Sequence, residues 1–333
     1  KTILYDVIII GAGPAGLFAA ININQKLNAL ILEKNSSAGK KLLMAGSGRC
    51  NITHTGDLEN FFRHYGDNIN FLKPALREFT NNDLIDFLKA GGIDIFVDKN
   101  DKVFPESERA RDVLAYLLKK LGEQKRIIEY DDRVISIKKV DDNFVIGAEK
   151  NSYKSKALII STGGKSYPST GSTGDGYKLA EMLGHTIIPV KPALTPVTIK
   201  NYRFGAVSGV SLSDVELNLY RNNKKIKTHR GDIGFTHTGL SGPGILDFSR
   251  YFEVGDTLKI NFLNAEKEEV RQRFIASAAM EGGITIKRFL KYYEIPESLI
   301  EEILLEIPLA DNIKISRVDK DSRNKLIELF CDF

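Results

Sequence analysis

The chain has 333 residues, 42% hydrophobic and 27% charged, with a formal net charge of +4. These are the values of an ordinary globular protein of about two or three domains, and they exclude collagen-like, disordered and low-complexity chains. The lysines come in short pairs such as Lys40-Lys41 and Lys224-Lys225 with no long basic run, so charge alone gives no reason to expect nucleic-acid binding. The two cysteines, Cys50 and Cys331, form no CxxC and no disulfide framework, which suits a reducing cytoplasm. No stretch of about twenty apolar residues exists, so a soluble, membrane-free protein is expected. Residue 1 is Lys rather than Met, so the chain is expected to be trimmed or processed.

In chain order, residues 4–10 form an almost continuous apolar run with glycines directly behind it, the pattern of a strand buried on both faces. Residues 14–26 read as a helix, and residues 29–32 as a second buried strand ending in Glu33-Lys34. A loop-rich stretch follows over 35–56. Thr80 and Asp83 make a capping-box start, Leu84, Phe87 and Leu88 keep helical spacing, and Gly91-Gly92 stop the helix. A further helix is predicted over 108–121, with Val113, Leu114, Leu117, Leu118 and Leu121 as its buried stripe. Residues 127–149 change to a period of two around an Asp141-Asp142-Asn143 turn and read as a β-meander. Another buried strand, 157–161, runs into Thr162-Gly163-Gly164, and a helix is predicted from Asp175 to Leu183. Pro189, Pro192 and Pro196 mark a linker. Alternating strands fill 197–263, and helical spacing takes over from 266 to the end.

The strongest motif is Gly11-Ala12-Gly13-Pro14-Ala15-Gly16. It stands between a buried strand and a helix, and an acidic residue, Glu33, closes the next strand about twenty residues on, which is the dinucleotide-binding context. Gly11 permits the tight turn, Gly13 lets backbone approach a pyrophosphate, and Gly16 lets helix press on strand. The helix start, with Pro14 and Ala15, offers free N–H groups to that anion. Glu33 can accept both ribose hydroxyls and would repel a 2′-phosphate. The motif alone does not separate FAD from NAD.

Three more stretches carry a resemblance: Gly39-Lys40-Lys41-Leu42 with Gly46-Ser47-Gly48-Arg49-Cys50-Asn51, then Ser161–Pro168 with Gly171–Gly176, and Phe235–Pro243. Together with the glycine motif they make the chain similar to the two-dinucleotide-binding flavoproteins, and more closely to the BaiN-like family, also called aminoacetone-oxidase-family FAD-binding enzymes. The resemblance implies an α/β fold, with a Rossmann-like FAD-binding domain over 1–190, an inserted β-barrel-like domain on the substrate side over 191–264, and a helical segment over 265–333. It implies FAD as cofactor, with Lys34, Lys41, Gly48, Arg49, Cys50 and Asn51 near the pyrophosphate and flavin, Val134 at the adenine, and Thr162 and Gly163 near the ribityl–phosphate.

Each of these residues also has a plainer reading. Arg49 could be a surface ion pair, Val134 core packing, and Thr162-Gly163 a strand-ending turn. Cys50 reads as a thiol packed beside the cofactor rather than a redox nucleophile. The five histidines show no metal-ligand spacing, so no metal is expected. His237 is the best polar candidate on the substrate side, against a bland reading as a domain-junction residue. The family's C-terminal GE-x-x-D…GG-Y-N pattern is not found before Phe333. The resemblance therefore implies that part of the isoalloxazine site is not encoded in these residues.

The expected function is FAD-dependent oxidoreduction of a small molecule. No second GxGxxG appears, which leans toward an O2-using oxidase of a small amine such as aminoacetone. An NAD(P)H-dependent reductase of an organic substrate is the alternative. An RNA-modifying or nucleic-acid-binding flavoprotein is the more remote one.

Overall fold

The opening apolar run folds as strand β1 (Leu4–Ile10), followed by helix α1 (Pro14–Asn22) and strand β2 (Ala29–Leu32). The computed structural model describes residues 3–280, 283–309 and 312–333. Beyond β2 the chain forms β3 (Thr53–His54), α2 (Leu58–His64), α3 (Ile69–Glu78), α4 (Asn81–Ala90), β4 (Ile95–Val97), β5 (Lys102–Pro105) and α5 (Ala110–Glu123). Strands β6 (Ile127–Glu129), β7 (Val134–Val140), β8 (Asn143–Ala148) and β9 (Ser152–Ile160) and helix α6 (Asp175–Met182) complete the first of two compact units, Lys1–Ile188.

Six of these strands form one sheet in the order β6-β2-β1-β9-β8-β7. The first four are parallel, while β8 and β7 return antiparallel as the meander that the period of two predicts. β1 is central, with Ile8 opposite Leu30 on one side and Leu158 on the other. Its side chains alternate between two cores. Ile9 packs with Leu17, Ala20, Leu117 and Leu121 of α1 and α5, whereas Ile8 and Ile10 pack with Val134, Ile146 and Leu179. Burial on both faces is why the end of the run, Ile8 to Ile10, is uniformly apolar. The chain leaves β1 toward β2 and returns to β9 on the other side. The carboxyl ends of these three strands therefore flank a topological switch point, where open α/β sheets bind ligands.

Local signals set the flanking helices. Thr80 Oγ1 accepts from Asp83 N at 3.2 Å and Asp83 Oδ2 accepts from Thr80 N at 2.7 Å, closing the capping box of α4. A small antiparallel sheet, β3-β5-β4, forms a satellite of the main sheet. A separate cluster of Cys50, Leu88, Ala110, Val113 and Tyr116 joins the loop after β2 to α4 and α5.

The second unit, Pro189–Phe333, contains β10 (Val197–Thr198), β11 (Ser211–Arg221), β12 (Lys224–Phe235), β13 (Gly239–Ser241) and β14 (Thr257–Asn261). They form an antiparallel sheet in the order β10-β13-β12-β11-β14. Helices α7 (Pro243–Phe248), α8 (Lys267–Met280), α9 (Ile286–Lys291), α10 (Glu297–Leu304) and α11 (Lys320–Cys331) accompany it. Leu217, Leu219 and Phe235 of the sheet share one core with Phe274, Phe289, Ile300 and Phe330 of the helices. The β stretch and the helical stretch, expected as separate parts, thus make a single unit. The physical reason is burial: an apolar sheet face must be covered, and these helices supply the cover.

The glycine motif divides its labour sharply. A Cβ on Gly16 would run into the carbonyl oxygen of Gly11 and lie 2.7 Å from Ser161 Oγ, whereas one on Gly13 meets nothing within 4 Å. Gly16→Ala is therefore expected to destabilise the protein by about 1–3 kcal/mol, the range for overpacking. Gly13→Ala is expected to stay within about 0.5 kcal/mol of the parent, as an unhindered surface change does. Urea unfolding of both variants checks this, and equal stabilities would contradict the assigned packing role of Gly16.

Candidate functional site

A cavity of about 650 Å³ opens at the carboxyl ends of β1, β2 and β9. The glycine turn forms its floor. Gly11, with φ +104°, donates its N–H to Leu32 O at 2.8 Å, and Ser161 Oγ bonds the carbonyls of Ile10 and Gly11 at 3.0 and 3.2 Å. The turn delivers the chain into α1, whose N-cap, Gly13, supplies no side-chain acceptor and whose first turn carries no acidic residue. Gly13, Pro14 and Ala15 line the cavity, so the uncapped helix start faces it with free N–H groups and a partial positive charge. An anion is the natural occupant of such a place.

Glu33 is buried at 7% exposure, and its carboxylate is held by three donors. Oε2 accepts from Ala12 N at 2.8 Å, and Oε1 accepts from Asn35 N at 2.8 Å and Asn35 Nδ2 at 2.7 Å. The acid at the end of β2 therefore fixes the glycine turn at the end of β1. Oε1 already accepts two hydrogen bonds, whereas Oε2 accepts one and keeps a lone pair for a ligand hydroxyl.

Cations gather on the far wall around one carboxylate. Asp175, at the start of α6, pairs with Lys34 Nζ at 2.8 Å and Arg133 Nη2 at 2.9 Å, and Thr173 Oγ1 bonds it at 3.1 Å. Burial works to raise the Asp175 carboxyl, but the bonds from Arg133 and Lys34 outweigh it and hold it at about 2. It is ionised at neutral pH. Sequence reasoning passed over Asp175 and Arg133. The Gly174-Asp175-Gly176 run at a helix start was a visible signal for the first. Arg133 had none, because its meaning depends on pairing across 42 residues.

Ten of the expected cofactor residues line this one cavity: the five at the glycine turn and its acid, Gly11, Gly13, Pro14, Ala15 and Glu33, then Lys34, Lys41, Val134, Thr162 and Gly163. Lys41 Nζ reaches Ser166 Oγ at 3.4 Å, and Gly163 adopts φ +75° directly after β9. Val134 is both lining and core, being buried against Ile146 and Leu179.

The structure does not bring Gly48, Arg49, Cys50 and Asn51 into the lining. The loop turns left-handed at Gly46 and Ser47, both at φ 58°, and carries them toward the satellite sheet. Arg49 stacks its guanidinium 4.6 Å from the Phe104 ring centroid and pairs with Glu108 at 3.1 Å, which is the surface ion pair held open above. Cys50 is buried, and burial pushes its thiol up to about 11, which disfavours the thiolate that a redox nucleophile needs. Gly16 faces the strands rather than the cavity. His237 belongs to the second unit, exposed in the turn between β12 and β13. Among the described residues no group of three or more His, Cys, Asp or Glu could hold a metal, and no helix is long and apolar enough to cross a membrane.

Comparison with known proteins adds to this geometry. The family profile described as HI0933-like protein Rossmann domain matches residues 5–290. The 3-dehydro-bile acid delta(4,6)-reductase of Clostridium scindens is 29% identical over 320 residues, covering 93% of this chain and 77% of that protein. A ribosomal RNA dihydrouridine synthase of Haemophilus influenzae is 30% identical over 322 residues, covering 93% and 78%. The Escherichia coli protein of the same name is 30% identical over 267 residues, covering 78% and 64%. The switch-point cavity with its glycine turn and anchored acid, together with a family match over most of its length, places this chain in the HI0933-like Rossmann-domain family of FAD-dependent oxidoreductases.

Proposed function

We propose that this protein is a reductase that uses FAD to saturate a carbon–carbon double bond conjugated with a carbonyl. The carrying observation is chemical. The relatives' names describe one reaction type on different molecules: reduction of a 3-oxo steroid with Δ4,6 unsaturation, and formation of dihydrouridine from the uracil ring. Chemically, each is the addition of a hydride equivalent and a proton across a carbon–carbon double bond conjugated with a carbonyl, and in this reading NAD(P)H is the expected source of the electron pair for this protein. Bound FAD would supply the hydride-transfer chemistry between those two partners. The oxidase of an aminoacetone-type amine remains the competing outcome of the test below.

In this reading the chain's own residues bind and orient. The open face at Gly13 and the uncapped start of α1 take the pyrophosphate. Glu33 accepts an adenosine ribose hydroxyl through the open lone pair of Oε2. The backbone at Val134 flanks the adenine, and Thr162-Gly163 approaches the ribityl–phosphate. Lys34 and Lys41 add positive charge around the anion.

Two expected outcomes follow for binding. Gly13→Ala, which keeps the fold, is expected to weaken FAD at least about tenfold, or about 1.4 kcal/mol, because its methyl enters the space assigned to the pyrophosphate. Glu33→Gln keeps a carbonyl acceptor for Ala12 N but loses the charge, and is expected to weaken FAD by about 1.5–3 kcal/mol. Calorimetric titration reads both, and unchanged affinities would show that the nucleotide lies elsewhere. For the reaction, anaerobic stopped-flow mixing with NAD(P)H is expected to bleach the flavin, and a conjugated enone or uridine-containing RNA to restore its colour. Bleaching by aminoacetone and not by NAD(P)H would overturn the reductase reading in favour of an oxidase.

A further inference from the structure

Among the described residues of the first unit, two carboxylates are buried: Glu33, and Asp132 at 1% exposure. The binding roles above leave Asp132 unused, although it lines the cavity beside Arg133 and Val134. Its carboxylate is fully engaged. Oδ1 accepts from Lys150 N at 2.8 Å, and Oδ2 accepts from Asn151 Nδ2 at 3.0 Å and from the Tyr153 hydroxyl at 2.8 Å. Burial works to raise the Asp132 carboxyl, but these bonds outweigh it and hold it below the usual carboxylate range. None of the three donors lines the cavity. Lys150 and Asn151 form the turn between β8 and β9, closed by Ala148 N to Asn151 O at 2.9 Å, and Tyr153 stands at the start of β9.

The backbone of the same residue is tied to the other buried acid. Asp132 N donates to Glu33 O at 3.2 Å, Asp131 N to Asn35 O at 3.2 Å, and Glu33 N to Glu129 O at 2.8 Å. Asp132 thus links the end of β2 to the β8–β9 turn. Two residues on, Val134 stands opposite Ala148, while Glu149 N donates to Arg133 O at 2.9 Å. That is the pattern of a non-hydrogen-bonded pair in an antiparallel ladder, so the N–H and C=O of Val134 itself point away from β8. β7 is the last strand of its sheet, so these two groups face an open edge. One donor and one acceptor side by side match the N1 acceptor and the 6-amino donor of adenine. Guanine presents the same two positions with the roles exchanged, so fixed backbone groups distinguish the two bases.

We infer that Asp132 is a positioning residue for base selection: it holds the Val134 backbone where adenine, and not guanine, meets it once the ribose is on Glu33. The inference rests on the reading that the adenosine end of the cofactor lies in this cavity. Ribose acceptor and base wall are bonded through one stretch of main chain, so the distance between them is set by the protein before any ligand arrives. Loss of the Asp132 carboxylate frees the start of β7 from the β8–β9 turn and leaves that distance to fluctuate.

Calorimetric titration of the flavin-stripped protein with ADP and with GDP tests the inference. The parent is expected to bind ADP at least about tenfold more tightly than GDP, the discrimination of one good two-bond base contact. Asp132→Asn keeps the size of the side chain but sets an amide N–H2 against one of the three donors. In that variant the preference is expected to fall to about threefold or less, through weaker ADP binding, with GDP changed by no more than about twofold. Tyr153→Phe removes one donor and leaves the carboxylate to the other two, so an intermediate preference is expected. Equal losses for ADP and GDP in Asp132→Asn, with a lower urea midpoint, would reduce Asp132 to a fold-stabilising residue and overturn the inference. If Asp132→Asn does not fold, Tyr153→Phe decides, and a preference equal to the parent's overturns it. A parent that prefers ADP, with both variants keeping that preference, sinks the positioning role alone. A parent that binds neither nucleotide, or both equally, sinks the placement of adenosine in the cavity and the positioning role with it.

Discussion

The hydrogen bond from Ala12 N–H to the Glu33 carboxylate is the constraint on which the site depends. It joins the turn after β1 to the end of β2 at 2.8 Å. The same carboxylate takes both donors of Asn35, so the acid is anchored from two directions. Buried carboxylates are costly unless hydrogen-bonded, and this one is compensated by donors the turn must otherwise leave unsatisfied. The result is a glycine turn held open toward the cavity, with Gly16 pressed against the strand and Gly13 facing empty space. Position comes from the sheet, and ligand access comes from the missing side chains.

Most of that arrangement was legible in the sequence. Gly11, Gly13, Gly16 and Glu33 carry their meaning at fixed spacing, because a strand–turn–helix–strand unit brings them together by local geometry alone. The Thr80–Asp83 capping box was legible for the same reason. Arg49 and Cys50 were less so. Their loop is rich in glycine, and two left-handed residues, at Gly46 and Ser47, decide which way it leaves the sheet. No periodic signal encodes that direction. The Lys34–Asp175–Arg133 cluster was invisible as a cluster, since its members come from three separate elements. The split of 191–333 into β and helical parts followed local periodicity correctly, yet the shared core of Leu219, Phe289 and Phe330 is a tertiary fact.

Charge is used differently in the two units. Around the cavity, Lys34 and Arg133 are tied to a carboxylate held ionised at about 2, which orients them without leaving a large unbalanced field. At the β11–β12 tip, three lysines stand without such partners on an exposed edge. The first pattern suits a ligand held in one geometry. A mild net charge of +4 hides this asymmetry, which is why composition alone gave no hint of it.

The account stands on the claim that the adenosine end of the cofactor sits in the switch-point cavity against Glu33. Competition on the flavin-stripped protein tests it most directly, with ADP and its 2′-phosphorylated analogue set against FAD. ADP should displace FAD, and the analogue should do so at least about tenfold less well, equivalent to about 1.4 kcal/mol, because its added phosphate would face an anchored carboxylate. Equal competition by the two, or none by ADP, would contradict the assignment of the cavity.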